Sequence, residues 1–243
     1  MAIVINGSGT ITGVSVGGLP DGSVDSDTLA TGIDVTKLAD GTVTSAELQY
    51  INSLSSNAQT QISGAGGLVY IETVTAADSA TVDLEGMTTA YDNYVVYAAA
   101  IRAVTDGATL QAQFQLNGSW ATGASYDSAV IGYGCGDADD AVRNNTSSST
   151  TAMDLTTNEG WFSAVTNNGV GRYEILNCEG VVSNKRFIQG HTTYQNTVLN
   201  VAHTDISGGS YVSTSGPISG IRFMFSSGNM TTGTFRLFGV KNS

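Results

Sequence analysis

Apolar and polar residues alternate along most of this chain. In TLQAQFQLNG, Ala112, Phe114 and Leu116 fall on one side of an extended backbone, and Gln111, Gln113 and Gln115 fall on the other. GIRFMFSSGN places Ile221, Phe223 and Phe225 inward in the same way. GTFRLFGVK fits two registers, with either Phe235 and Leu237 or Phe238 and Val240 inside. YDNYVVYAAAIR, RYEILNCEG, KRFIQGHTTY and TVLNVAH add strand-length runs, separated by Gly, Asn, Asp and Ser turns. About ten short strands without a helical period predict an antiparallel, jelly-roll-like β-sandwich over residues 68–243. GCGDADDAVRNNTSSSTTAMD is the long polar interruption and is expected to be an exposed loop.

One stretch departs from the pattern. In TSAELQYINSLSSNAQTQISGAGG, Thr44 and Glu47 have the spacing of a capping box, and Val43 and Leu48 that of a hydrophobic staple. Gly64 is placed to stop the helix. The apolar seam Leu48, Ile51, Ser55, Ala58 and Ile62 steps by three and four, with Leu54 alongside, as in the a and d positions of a heptad. A helix of about 28 Å with so narrow a seam is marginal alone. It either docks on its own β-domain or pairs with copies of itself; the second is the expectation. The small residues Ser55 and Ala58 do not set the number of strands.

Ahead of the helix, residues 1–43 form a thin extended leader with too little apolar surface for a core. It holds a weak repeat of about nineteen residues, aligning Leu19 with Leu38, Asp21 with Asp40, Val24 with Val43 and Leu29 with Leu48. Repeats this thin are expected to bury surface when several chains wind together. The predicted divisions are therefore 1–43, 44–67 and 68–243.

Composition narrows the functional classes. With 41% apolar residues a packed core is attainable. The net charge is −12, and no basic stripe could neutralise a phosphate backbone, so nucleic acid is not an expected partner. No apolar run reaches the roughly 20 residues of a membrane span, and MAIVINGSGT lacks the pattern of a signal peptide. Membrane insertion and ordinary secretion are not expected. Cys135 and Cys178 have no partners at metal-ligand spacing; two free buried thiols are expected over a disulfide.

Candidate chemistry is sparse. GSGTITG has the wrong glycine spacing for a phosphate loop. His191 and His203 have no ligand-forming neighbours in sequence and are read as surface or strand-face residues. Asp137, Asp139 and Asp140 could offer oxygen ligands to Ca²⁺, but a solvated turn is the expected role. No G-x-S-x-G elbow is present. No catalytic residue, metal ligand or cofactor is assigned. Trp120, Tyr126, Tyr133 and Trp161 lie in or beside expected loops. Exposed aromatics stack on sugar faces, which makes these four the candidates for receptor contact, but burial in the sandwich rim is the expected placement for each.

The leader MAIVINGSGTITGVSVGGLPDGSVDSDTLATG resembles the start of short fibre proteins of tailed bacteriophages. Glu47, Leu48, Tyr50, Ile51, Asn52, Leu54, Ser56, Ala58, Gln59, Gln61 and Ile62 match a phrase of phage tail-fibre stems. GTFRLFGVKNS is similar to the last strand of jelly-roll tips in such proteins. The resemblance implies a homotrimer joined by a short coiled coil, attached to other virion proteins through its N-terminus. It implies a tip for adhesion to a host-surface glycan or outer-membrane component, and assembly into the virion in the host cytoplasm. The stem is short for a long tail fibre. A capsid head fibre or decoration protein without receptor binding is the alternative, and a polysaccharide-degrading tip is a further rival.

Overall fold

A computed structural model describes residues 67–135, 142–163, 168–178, 185–196, 202–212 and 216–241, and a few positions before them: 4–5, 11–12, 44, 46–47 and 50. The chain divides into two compact units, Met1–Ser63 and Gly64–Ser243.

In the first unit, β1 (Val4–Ile5) and β2 (Ile11–Thr12) pair antiparallel. The capping box forms as its spacing predicts. The Thr44 N–H donates to Glu47 Oε2 at 2.8 Å, and the Glu47 N–H donates to Thr44 Oγ1 at 3.2 Å. The Thr44 N–H, and after it the Thr44 hydroxyl, which also donates to Glu47 Oε2 at 2.8 Å, hold the Glu47 carboxyl below its ordinary pKa. Ala46, Glu47 and Tyr50 have helical backbone. The seam residues Leu48, Ile51, Ser55, Ala58 and Ile62 lie outside the described residues.

The second unit is a sandwich-like domain of two antiparallel sheets. The larger has eight strands: β3 (Leu68–Ser79), β5 (Asn93–Ala103), β8 (Tyr126–Cys135), β9 (Val142–Thr150), β11 (Gly169–Leu176), β12 (Lys185–Gln195), β13 (Ala202–Val212) and β15 (Met230–Val240). Their order is β3-β15-β5-β11-β12-β13-β8-β9. The smaller contains β4 (Val82–Leu84), β6 (Leu110–Leu116), β10 (Met153–Asp154) and β14 (Ile218–Phe225) in the order β10-β6-β14-β4, with β7 (Ser119–Trp120) hydrogen-bonded to β6.

The alternating side chains of the two inner faces make the core. Phe223 of the smaller sheet packs on Phe235 and Tyr173 of the larger, with ring centroids 4.9 and 5.2 Å apart. Ile221, Phe223 and Phe225 all point inward, as their spacing predicts. For the last strand the structure selects Phe235 and Leu237 as the buried pair. A register shift opposite Leu237 and Phe238 preserves the alternation, keeping Phe238 on the outer face.

In β6, Ala112, Phe114 and Leu116 are buried, but Gln113 and Gln115 on the opposite face are buried too. Gln113 Nε2 donates to the Thr151 carbonyl at 2.9 Å. Gln115 Nε2 donates to Glu85 Oε1 at 2.6 Å, and its Oε1 accepts from Ser219 Oγ at 2.9 Å. Saturated amides can therefore be covered without an unpaired polar atom.

The expected polar loop is corrected in part. Residues 142–150 form β9, the outermost strand beside β8. Its inward-leaning polar side chains are tied down: Asn145 Nδ2 and Ser147 Oγ donate to Asp154 Oδ2 at 3.1 and 3.3 Å, and Arg143 Nε meets Glu159 Oε1 at 2.7 Å. Hydrogen bonds here take the place of apolar burial in directing the pleat. Asp137, Asp139 and Asp140 fall outside the described residues.

Phe223→Ala should lower unfolding free energy by about 3–5 kcal/mol in a denaturant titration. Val170→Ala, on the exposed outer face, should change it by no more than about 0.5 kcal/mol. Equal losses at both positions would contradict this division of core and surface.

Candidate functional site

The outer faces of the two sheets differ in kind. On the smaller sheet, Arg222 forms a two-pronged ion pair with Asp83, Nε to Oδ1 at 2.7 Å and Nη2 to Oδ2 at 2.6 Å. The same guanidinium lies 4.2 Å from the centre of the Trp120 ring. With the glutamine bonds above, this face is polar and internally satisfied. On the larger sheet, the outer face carries the exposed apolar side chains: all but Val104, among the described residues of this unit, belong to its strands.

Across the middle of that face lies a groove of about 650 Å³. One register row crosses it: Arg172 on β11 faces His191 on β12, which faces Ile206 on β13, which faces Ile131 on β8. The neighbouring row is Glu174, Gln189, Gly208 and Ala129. Tyr133 and Ile131 rise at one side, 46% exposed each.

The polar groups are fixed to each other. Arg172 Nη2 lies 2.6 Å from Glu174 Oε1, and Gln189 Nε2 donates to Glu174 Oε2 at 2.7 Å. The Arg172 guanidinium sits 5.9 Å from the centre of the Tyr97 ring. Its pKa is raised, first by hydrogen bonding with Tyr97 and then by the Glu174 carboxylate, which outweigh desolvation, so it stays charged throughout the accessible pH range. At Gly208 the floor is open: a Cβ built there meets no atom within 4 Å. The groove thus combines a guanidinium, a carboxylate, an amide and an imidazole with isoleucine and tyrosine surfaces.

Under the sheet lies a different polar cluster. His203 Nδ1 is 2.8 Å from Asp205 Oδ1, and both side chains are fully buried. Asp205 Oδ2 accepts from the Thr157 N–H at 2.6 Å and from Tyr194 Oη at 3.0 Å. Trp161 stacks on Tyr194 at 4.9 Å with 6° between the rings. The pair has the form of a base and its orienting acid, yet no described group bonds His203 Nε2. What the cluster visibly does is tie β13 and β12 to the segment around Thr157.

The four aromatic candidates separate accordingly. Tyr133 lines the groove and Trp120 is half-buried beneath Arg222 on the other face. Tyr126 and Trp161 are core residues, 0% and 1% exposed, the burial expected of them, so neither is available to a receptor. The Tyr126 hydroxyl is used internally, donating to the Ala121 carbonyl at 2.8 Å and accepting from the Phe114 N–H at 2.9 Å. Of the two histidines, His191 faces the groove, whereas His203 lies inside, not at the surface. Arg172, Glu174, Gln189, Ile131 and Ile206 were not singled out in the sequence. Their signal is the placing of charged or amide groups at alternate positions of GRYEIL and RFIQGH, but it marks an exposed strand face without marking a groove.

Among the described residues, no cluster of His, Cys, Asp or Glu could hold a metal ion, and no helix is long and apolar enough to cross a membrane. Comparison with protein-family models, with curated proteins and with solved structures finds no match.

Cys178 is a free, buried thiol, its pKa pushed up to about 12 by desolvation and then by the Asp92 charge. In a Cys135→Ser background, a thiol reagent at pH 8 should label Cys178 slowly in native protein and within minutes after denaturation. Rapid native labelling would refute the burial.

Proposed function

We propose that this chain is a homotrimeric fibre of a tailed-phage virion. Its N-terminal unit attaches to other virion proteins and joins the copies through residues 44–63, and its jelly-roll-like sandwich is the tip that meets a host-surface glycan. The observation that carries the adhesive part is the groove on the larger sheet. A sugar presents hydroxyls that both donate and accept, and apolar C–H faces. Arg172, Glu174, Gln189 and His191 offer matched partners of both kinds, and Ile131, Ile206 and Tyr133 offer a ledge for the ring. Because Arg172 and Glu174 neutralise each other, the groove suits a largely neutral saccharide.

Shallow contacts of this kind are weak singly. Three of them on one stem raise effective concentration to the millimolar range and convert weak sites into useful avidity. The capping box at Thr44 and Glu47 supports a helix beginning where the stem is placed. The sequence resemblance to phage fibres supports the remainder. The alternative, a capsid head fibre or decoration protein without receptor binding, predicts no saturable ligand for the groove.

Full-length protein labelled with a fluorophore should bind a panel of bacterial surface polysaccharides saturably. Arg172→Ala should weaken that binding about ten-fold or more, in keeping with the loss of charge-assisted hydrogen bonds. Gly208→Trp, which fills the open floor, should abolish it while leaving the melting temperature nearly unchanged. Saturable binding indifferent to both substitutions would move the glycan site elsewhere, and no binding to any susceptible cell would favour the decoration reading.

A further inference from the structure

The outer face of the larger sheet has a second part, beside the groove and distinct in chemistry. It spans β3, β15 and β5, the three strands on the side where the domain begins. Tyr70 pairs with Phe238 across β3 and β15, and Tyr97 sits opposite Arg236 across β5 and β15. The three rings form one edge-to-face set, with Phe238 5.8 Å from Tyr70 and 5.7 Å from Tyr97. Tyr70 is 58% exposed, Leu68 42% and Tyr97 38%. Around these rings the outward rows carry Arg102 and Arg236, and the exposed carboxylate of these strands, Asp78, stands at the far end of β3 from Tyr70, in a chain whose net charge is −12.

We propose that this aromatic patch is a contact between copies of this chain. The inference rests on the fibre reading, in which the N-terminal units hold the copies together. Three observations favour a second copy over other occupants. First, Leu68 lies five residues after Ser63, where the N-terminal unit ends, and five extended residues span at most about 18 Å. Copies joined through that unit therefore hold their β3 strands within roughly a domain's width of one another, at millimolar effective concentration.

Second, the patch has the right size for tethered partners. Three strands about 4.8 Å apart and some eight residues long present roughly 400 Å², about half of what each partner gives to a stand-alone interface. Such a patch would not hold free chains together, but it suffices for chains already joined. Third, strongly acidic copies repel, and the contact with least repulsion is a surface whose centre carries arginine and no carboxylate. β3 is also one of the two edge strands of this sheet in the described structure, β9 being the other, and a neighbouring copy would cover it.

The test is hydroxyl-radical footprinting of the full-length chain, with its absolute mass measured by light scattering under the same conditions. The inference expects an oligomer in which Tyr70 and Tyr97 oxidise about five-fold more slowly than Tyr133, which has similar exposure within one chain. In Tyr70→Glu the mass should persist, held by the N-terminal unit, while Tyr97 becomes as reactive as Tyr133. An oligomer in which Tyr70 and Tyr133 react alike overturns the inference and leaves the fibre reading intact. Protection of Tyr70 that appears only on adding a bacterial polysaccharide also overturns it, assigning the patch to the ligand. A monomeric full-length chain overturns the fibre reading and this inference together.

Discussion

Every strand of the larger sheet must serve two surroundings at once, and that constraint organises the domain. In all of them but β9, whose inner row is polar, one row joins a core shared with the smaller sheet, where Phe223, Phe235 and Tyr173 meet. The alternate row is left with no covering layer within the described domain. Backbone pairing forces the outer residues into straight lines, so Arg172, His191, Ile206 and Ile131 come together because their neighbours point inward. Groove and core are two sides of one register; a one-residue slip in β12 would exchange His191 with Thr192 and lose both.

The two outer faces show what an isolated domain does with such a row. On the smaller sheet, Gln115 is held by Glu85 and Ser219 and Arg222 by Asp83, giving a face satisfied by its own polar groups. On the larger sheet, isoleucine, valine, phenylalanine and tyrosine side chains stay partly in water. Leaving that area exposed is unfavourable by roughly 25 cal/mol per Å², a cost a surface in permanent contact with water could shed by substitution. The asymmetry is the reason both proposed contacts lie on the larger sheet.

The strands were legible where apolar residues alternate without interruption. The inward set of β14, the register choice offered for β15 and the capping box at Thr44 all follow from spacing. β8 and β9 were not read as strands, and of β13 only its start in TVLNVAH was, for two physical reasons. In β9 the directing force is hydrogen bonding to Asp154 and Glu159, which hydrophobic periodicity does not register. In β8 and β13, glycine had been taken as turn punctuation, whereas here it makes room. A Cβ on Gly132 would lie 2.1 Å from Asp205 Oδ1, and one on Gly209 would lie 2.8 Å from the Met153 sulfur. The groove was less legible still, because four strands, β8 with β11, β12 and β13, have to be ordered before its residues become neighbours.

The pairing of β3 with β15 carries a consequence for how the domain is made. These strands are the first and last of the unit, and Leu68 finds its partner at Val240. At ordinary translation speeds of about 5–20 residues per second, β3 leaves the ribosome some 10–30 seconds before that partner exists. The larger sheet can grow from its hairpins β11-β12-β13 meanwhile, but it cannot close. During that interval Tyr70 belongs to an unpaired strand, next to nascent chains of the same sequence on the same message.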